Sequence, residues 1–234
     1  MFKKLCPWAI ALLSGSAAAA PNEIKVFTDE LASYREHTLE THVNKAGRTI
    51  RGAESAPNPL RVMPEYSYGI WRNWELSLQL PFAFSGEASK VEGYRAELQY
   101  VAPHDADQGF YWGVNVELAR DERLGEASFI NLELIPIIGY RVDRWHLAAN
   151  PGMERALTGP RKTTHGTPAV KAAYRAYGRN YVGVEYYVEP GQSRTLYVAW
   201  DGKLGGSDFN IGIGRGSTDA PDRWVLKMIY EIGF

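Results

Sequence analysis

The chain is poor in cysteine, in long apolar runs and in excess charge, and each shortage excludes a class of protein. Its 234 residues include one cysteine, Cys6, which lies in the N-terminal leader, so no disulfide can stabilise the remainder. Beyond residue 20 there is no run of about 18 uncharged apolar residues, which excludes a membrane-spanning helix. The formal net charge of −1 argues against a basic surface for nucleic acid.

The N terminus has the three parts of a secretory signal peptide. Lys3 and Lys4 supply positive charge, residues 5–13 are mostly apolar, and residues 14–20 are small. The apolar part is too short to span a bilayer, so we expect residues 1–20 to be removed on export, with the cut within 17–20. Residues 21–36 do not alternate clearly. We expect them to form a periplasmic segment or a partial plug of a lumen, with a short helix capped near Thr28 as a further alternative.

What the chain does contain is alternation with a period of two. In residues 224–234 the even positions are bulky and apolar, whereas the odd positions include Lys227 and Glu231. This pattern is typical of a strand with one apolar face. The mean hydropathy of −0.32 would describe a soluble protein, but alternating strands hide their apolar face from such averages.

Twelve segments alternate in this way, and a helical period is almost absent. Each is close to the 9–11 residues with which a tilted strand crosses a bilayer, and an even number suits a bacterial barrel. The sequence therefore predicts an all-β fold, a transmembrane antiparallel up-and-down β-barrel of about 12 strands over residues 37–234. The predicted strands are 37–45, 60–68, 74–84, 93–101, 110–119, 129–140, 145–154, 169–177, 181–188, 195–201, 209–214 and 224–234.

The connections between these segments alternate between tight and loose, as short periplasmic turns and longer outer loops do. Connections 102–109 and 201–207 are longer than this scheme prefers. Aromatic residues flank the tight turns, which predicts a girdle at the level of the lipid headgroups. Four prolines inside predicted strands indicate bulges or rim positions: Pro64, Pro81, Pro136 and Pro151. The tight turns are 69–73, 141–144 and 178–180, and the loose ones include 46–59, 157–168 and 215–222.

Two stretches carry a family resemblance. The last strand, which ends on an aromatic residue, resembles the closing strand of bacterial outer-membrane β-barrels. That resemblance implies that Phe234, Ile232 and Tyr230 form a signal read by the barrel-insertion machinery. Residues 60–84 resemble the strand, Tyr-Gly turn and strand ending in Leu-Pro of a transporter-like group of outer-membrane barrels named for the MetA pathway of phenol degradation. The resemblance implies location in the outer membrane, among its lipids.

If the apolar face of each strand meets lipid, the opposite face lines the lumen. Charges there need water or partners, which leaves two alternatives. One is a hydrated pore with a mild cation preference, because acidic residues outnumber basic ones. The other is a narrow barrel filled with salt-bridge networks. The predicted lumen-lining residues are Arg61, Glu65, Glu75, Arg95, Glu97, Glu117, Glu133, Lys171, Arg175, Glu185, Lys227 and Glu231, with Glu40 and His42 on the same face.

The sequence gives little support for catalysis or for metal binding. A Gly-x-Ser-x-Gly motif is lacking, and the five histidines are too dispersed for a spacing argument. We therefore expect no catalytic residue, no metal and no cofactor. The expected function is a channel or transporter-like protein for passive passage of small solutes. The alternatives are a barrel with a structural or lipid-modifying role, or a secreted soluble β-protein whose apolar face forms a core.

Overall fold

The chain folds into one antiparallel sheet that closes on itself. The computed structural model describes residues 24–47, 59–86, 88–122, 128–159, 162–188, 194–217 and 224–234, so the predicted signal peptide lies outside the described residues. In these ranges no helix has the length and apolar character to cross a membrane. The strands are β1 His37–Gly47, β2 Leu60–Trp71, β3 Trp74–Gln79, β4 Phe82–Ser85, β5 Ala88–Val91, β6 Gly93–Val101, β7 Gly109–Asp121, β8 Phe129–Val142, β9 Trp145–Ala156, β10 Thr164–Tyr177, β11 Asn180–Val188, β12 Arg194–Leu204, β13 Ser207–Gly216 and β14 Trp224–Gly233.

Pairing of β1 with both β14 and β2 closes the barrel. The other strands that are neighbours in the sheet are also paired antiparallel. β3 and β4 are two parts of one wall strand, because both pair with β2. β5 and β6 likewise follow one another along the wall, separated at Glu92 and Gly93, whose φ of 122° interrupts the extended chain. The wall therefore has 12 strands, which confirms the predicted fold.

Two-residue turns lie at one end of the barrel. They are formed by residues 72–73, 143–144, 178–179 and 205–206. Each holds a residue with positive φ: Asn73, Asp143, Gly178 and Gly205. The expected long connection at 201–207 was wrong, because β12 continues to Leu204 and pairs there with Ser207. Connection 102–108 is longer, as predicted.

The two faces of the wall differ in chemistry. Leu78 on β3 is 55% exposed on the outside, whereas its neighbour Gln79 is 3% exposed on the inside. The same alternation repeats around the wall, with apolar residues outward and polar ones inward. Outward aromatic pairs cluster toward the end with the short turns. These pairs, with ring centroid distances, are Trp74–Tyr100 at 4.7 Å, Tyr100–Trp112 at 5.9 Å, Trp145–Tyr174 at 5.1 Å and Trp200–Phe209 at 4.6 Å.

The prolines have different places in the wall. Pro64 pairs regularly with Thr41 of β1, so it is not at the rim, but the irregularity predicted there is present on its other side. It lies beside the interruption between β3 and β4, where the Leu80 N–H donates to the Pro64 carbonyl at 3.1 Å. Pro81 lies within that interruption. Pro151 pairs with Pro168 of β10, and Pro136 lies in the unpaired part of the β8–β9 ladder, between the pairs Leu134–Met153 and Ile138–Ala149.

The final strand closes the wall beside the first. Ile232 pairs with Leu39 and Tyr230 with Thr41. The Phe234 N–H donates to the His37 carbonyl at 2.9 Å, and their rings stack with centroids 5.9 Å apart. The role of this strand as an insertion signal stays a prediction.

Candidate functional site

The barrel interior gathers the charged residues that alternation assigned to it. Arg175 lies nearest the end of the wall, where its guanidinium donates to the Asp143 carbonyl at 3.1 Å. Six of the predicted lining residues are buried: Arg61, Glu65, Glu97, Glu117, Glu185 and Lys227. The other five, half-buried on the same face, are Glu75, Arg95, Glu133, Lys171 and Glu231.

An extended stretch of the N-terminal region, residues 24–34, lies against these inward side chains; we call it the inner segment. Ten extended residues span about 30 Å, comparable to the apolar height of such a barrel. Ile24 packs with Ala46, Tyr197 and Val225, near the end with the long loops. At the other end the Arg35 N–H donates to the Gly69 carbonyl at 2.8 Å. The segment forms no helix, in contrast to the alternative of a cap near Thr28.

Two lysines hold the top of the inner segment, the end near the long loops. One belongs to the segment and the other to the wall. The Lys25 ammonium lies 2.8 Å from Glu40 Oε1 on β1. The Lys227 ammonium of β14 donates to the Ile24 carbonyl at 3.2 Å and also pairs with Glu185 of β11. One ion pair and one hydrogen bond therefore join the inner segment to β1 and β14, and Lys227 in turn connects β14 with β11.

At mid-height, Asn150 of β9 binds the backbone of Phe27. The Phe27 N–H donates to Asn150 Oδ1 at 2.8 Å, and Asn150 Nδ2 donates to the Phe27 carbonyl at 3.1 Å. The Phe27 ring packs with Tyr111, Ile135 and Ile137. The Tyr111 ring can lie directly against β8 because Gly139 has no side chain: a Cβ there would lie 1.8 Å from the ring. The amide and the aromatic cluster fix the height of the segment.

Near the end with the short turns, Asp29 forms an ion pair with the wall. Arg141 Nη2 donates to Asp29 Oδ1 at 2.7 Å, and its other nitrogen contacts Oδ2. His104 Nε2 lies 2.7 Å from Oδ2, so the longer connection 102–108 also contacts the segment. Burial by itself raises the pKa of the Asp29 carboxyl, but the hydrogen bond and charge of Arg141, with the bond from His104, lower it below its usual range.

The wall beside the segment carries a ladder of four glutamates in register. Glu97 of β6 pairs with Glu117 of β7, Glu117 with Glu133 of β8, and Glu133 with Glu154 of β9. Like charges directly opposite one another destabilise a sheet unless they are offset. The ladder is offset in part by Arg95, whose guanidinium lies 3.3 Å from both Glu117 and Asp121.

Neutral donors complete the environment of the ladder. Asn115 Nδ2 donates to Glu97 Oε2 at 2.8 Å, and Thr167 Oγ1 donates to Glu133 Oε1 at 2.6 Å. Gln79 donates from one amide nitrogen to both Glu65 and Glu97. The interior is therefore rich in carboxylate oxygens that are held by hydrogen bonds and ion pairs.

Some inward side chains are fully buried. Asn115, Ile137 and Ala173 come from different parts of the wall and are each 0% exposed. Of the two sequence-derived alternatives, the described interior corresponds to the filled barrel with salt-bridge networks. The inner segment occupies the space that a hydrated pore would need.

Sequence reasoning missed several contributors to this interior, among them Glu154, Lys25, Asp29 and Arg141. Glu154 is predicted only as the end of a strand, although its inward register continues the glutamate ladder. Lys25 belongs to a stretch without clear alternation, so neither its direction nor its partner could be assigned. The alternation of Ile24, Val26 and Thr28, which are all buried, was the available signal for the direction of Lys25.

No protein-family model matches the sequence, and no curated protein matches it significantly. Solved structures do show similar barrels. The translocator domain of autotransporter NalP from Neisseria meningitidis is 12% identical, with 88% of this chain and 90% of that chain covered and a TM-score of 0.44. A loop-deletion mutant of OmpT from Vibrio cholerae is 10% identical, with 85% and 98% covered and a TM-score of 0.39. A porin mutant from Rh. blastica is 9% identical, with 85% and 99% covered and a TM-score of 0.31. At these identities the likeness concerns the fold alone.

Proposed function

We propose that this protein is an outer-membrane channel of the transporter-like kind, which passes small solutes passively when its inner segment is displaced. The observation that carries the proposal is a polar, charged lumen inside an apolar outer surface, closed by a segment that polar contacts hold in place. A barrel with a purely structural function would need only packing between side chains of the wall strands. Here Lys25, Phe27 and Asp29 bind the wall through separate hydrogen bonds and ion pairs.

The proposal includes the setting in which the channel acts. Outer-membrane lipids would surround the apolar face, and the insertion machinery would act on the last strand during assembly. The finer family assignment, to the group named for the MetA pathway of phenol degradation, rests on the resemblance of residues 60–84. The acidic excess of the lumen supports a mild preference for cations once the lumen opens.

A second candidate is a structural barrel that never conducts. The observation in its favour is the full burial of some inward side chains, since Asn115 and Ile137 are 0% exposed. The two candidates predict different results when the inner segment is loosened, because a structural barrel would have no conducting state to reveal.

Single-channel conductance in planar bilayers tests the proposal. The protein is refolded without residues 1–20, and Asn150→Ala is compared with the unsubstituted protein. Loss of two buried hydrogen bonds, each of about 1 kcal/mol, raises the ratio of open to closed states by about 30-fold. Asn131→Ala is the matched control, because this buried amide donates to Asp121 of the wall at 2.8 Å and not to the inner segment.

Ion selectivity supplies the second readout. In the open state, Glu117→Gln should shift the reversal potential in a salt gradient toward that of a non-selective pore, since Glu117 belongs to the acidic ladder. A folded barrel, shown by its faster migration on an unheated detergent gel, that stays silent even as Asn150→Ala would overturn the channel and leave the structural candidate.

A further inference from the structure

Two carboxylates and one imidazole converge inside the barrel where β1 meets β2. Glu40 and His42 are two residues apart on β1 and share the inward face, and Glu65 lies directly opposite Glu40 on β2. His42 Nε2 lies 2.6 Å from Glu40 Oε1 and 3.4 Å from Glu65 Oε2. All three side chains are buried, and one ligand atom from each lies within 4.8 Å of the others.

This donor set suits a divalent transition metal. Neutral imidazole and carboxylate oxygens are ordinary ligands of Zn²⁺, at about 2.0–2.2 Å from the ion. Two ligands at such distances in a tetrahedral arrangement lie about 3.4 Å apart. The observed separations of 2.6 and 3.4 Å therefore need only small side-chain movements to surround one ion. The three ligands come from two paired strands, which restrict their movement.

A fourth ligand is available beside the cluster. Gln79, which is 3% exposed, donates from Nε2 to Glu65 Oε2 at 3.1 Å, so its amide points at the site. Its Oε1 is buried and accepts no hydrogen bond from the part of the chain that the structure describes. Turning the amide would present this oxygen to an ion bound by Glu65.

The site already holds a cation that belongs to the chain. The Lys25 ammonium lies 2.8 Å from Glu40 Oε1, the same oxygen that contacts His42. A metal ion that takes this oxygen as a ligand must compete with the ammonium for it. Binding of metal is therefore linked to release of the top of the inner segment.

We propose that Glu40, His42 and Glu65 form a site for a divalent transition-metal cation, which binds in exchange for the Lys25 ammonium. No covalent bond is made or broken: the carboxylates exchange one cation for another, and the ammonium moves away from Glu40. The site is independent of conduction, since its occupancy can be measured on a closed barrel.

The test is a titration of the refolded, tag-free, metal-stripped protein in detergent with Co²⁺ and then Zn²⁺. Co²⁺ is followed by its visible absorption, and Zn²⁺ by calorimetry and by displacement of Co²⁺. We expect one ion per chain. His42→Asn or Glu65→Gln should weaken binding at least about 100-fold, since even groups that only support metal ligands contribute 10–100-fold. His165→Asn is the matched control, because that histidine is exposed and bonds Thr163.

Lys25→Met tests the exchange itself. Removing the competing ammonium should tighten Zn²⁺ binding by about tenfold, as expected for loss of one charge-assisted hydrogen bond. Each variant is first shown to fold by its migration on an unheated gel, and Glu40→Gln replaces any ligand variant that does not fold. Unchanged affinity in folded His42→Asn would overturn the metal site, and unchanged affinity in Lys25→Met would overturn the exchange. Neither result bears on conductance, so the proposed channel is judged separately.

Discussion

At the scale of single residues, Asp29 shows how one carboxylate can hold a segment against a barrel wall. Its two oxygens are shared between Arg141 and His104. The pKa of Asp29 is lowered in the folded protein, so its stabilising contribution is fully present above its ordinary pKa of about 3.9 and is lost as pH falls through the lower folded value. Asp29 is therefore ionised throughout the neutral and mildly acidic range.

This predicts the pH dependence of closure. Between pH 8 and pH 5 the open probability of the protein should not change through Asp29, whereas below about pH 4 it should rise. Asp29→Asn should be more open above about pH 4, where Asp29 of the unsubstituted protein is ionised, and should lose the acid transition. Single-channel recording across this range checks both predictions. Asp107→Asn, in the connection 102–108 that contacts Asp29, is the control. An Asp29→Asn protein with the full acid response would show that another group controls closure.

The faces of single residues could be predicted, but their partners could not. A period of two fixes the inward direction of Glu117 or Lys227 as soon as the strand is recognised. The pairs Lys227–Glu185 and Lys171–Asp201 join residues 42 and 30 positions apart, and they depend on the register of several strands together. For the same reason, spacing in the sequence did not indicate that Glu40, His42 and Glu65 come together.

At the scale of strands, the β8–β9 ladder is interrupted between Leu134 and Ile138. Pro136 lacks an N–H, and residues 135–137 have no paired partners on β9. The side chain of Asn150 fills part of this gap by donating to the Pro136 carbonyl at 3.4 Å. The gap and the inner segment thus share one amide.

Hydrogen exchange should locate this gap. We expect the amides of Leu134 and Ile138, which point toward β9 on either side of the gap, to exchange faster than those of Val114 and Val116 on the neighbouring strand. Asn150→Ala should widen the difference, because it removes the bridging side chain. Exchange measured by mass spectrometry on the barrel in detergent checks this, and equal protection of the two pairs of amides would contradict the interrupted ladder.

The twelve wall strands themselves could be predicted, because alternation and turn residues are local properties. The interruptions could not. The break between β3 and β4 lies opposite Pro64, and the partner of Pro151 is Pro168; both facts follow from pairing between strands. β5 was missed because it has only four residues, Ala88–Val91, and is separated from β6 by the positive φ of Gly93.

At the scale of the whole molecule, the outer surface has most of its exposed tryptophans toward one end. Trp71, Trp112, Trp145 and Trp200 are all exposed and lie toward the short turns. Aromatic rings of this kind favour the boundary between headgroups and acyl chains. The arrangement predicts a fixed depth for most of the tryptophan fluorescence.

Brominated lipids measure that depth. In liposomes, bromine near the headgroup should quench the tryptophan emission more strongly than bromine near the end of the acyl chain. Trp112→Phe, at an exposed position within the pattern, should lower the total emission and keep the order of quenching. Emission insensitive to lipid bromine would show that the apolar face is not in contact with lipid and would favour the soluble alternative.

From the sequence, a partial plug formed by residues 21–36 was one alternative among others, because that stretch has neither a clear period nor a motif to favour it. In its observed position the inner segment competes with solutes and ions for the lumen. Residues 35–36 join the inner segment to β1, so the segment is a tethered ligand whose effective concentration in the lumen is about millimolar or higher. Any solute or ion that takes its place binds more weakly than its intrinsic affinity, by the fraction of time that the lumen is vacated. The threshold for entry is therefore set by a tether of two residues as much as by the chemistry of the wall.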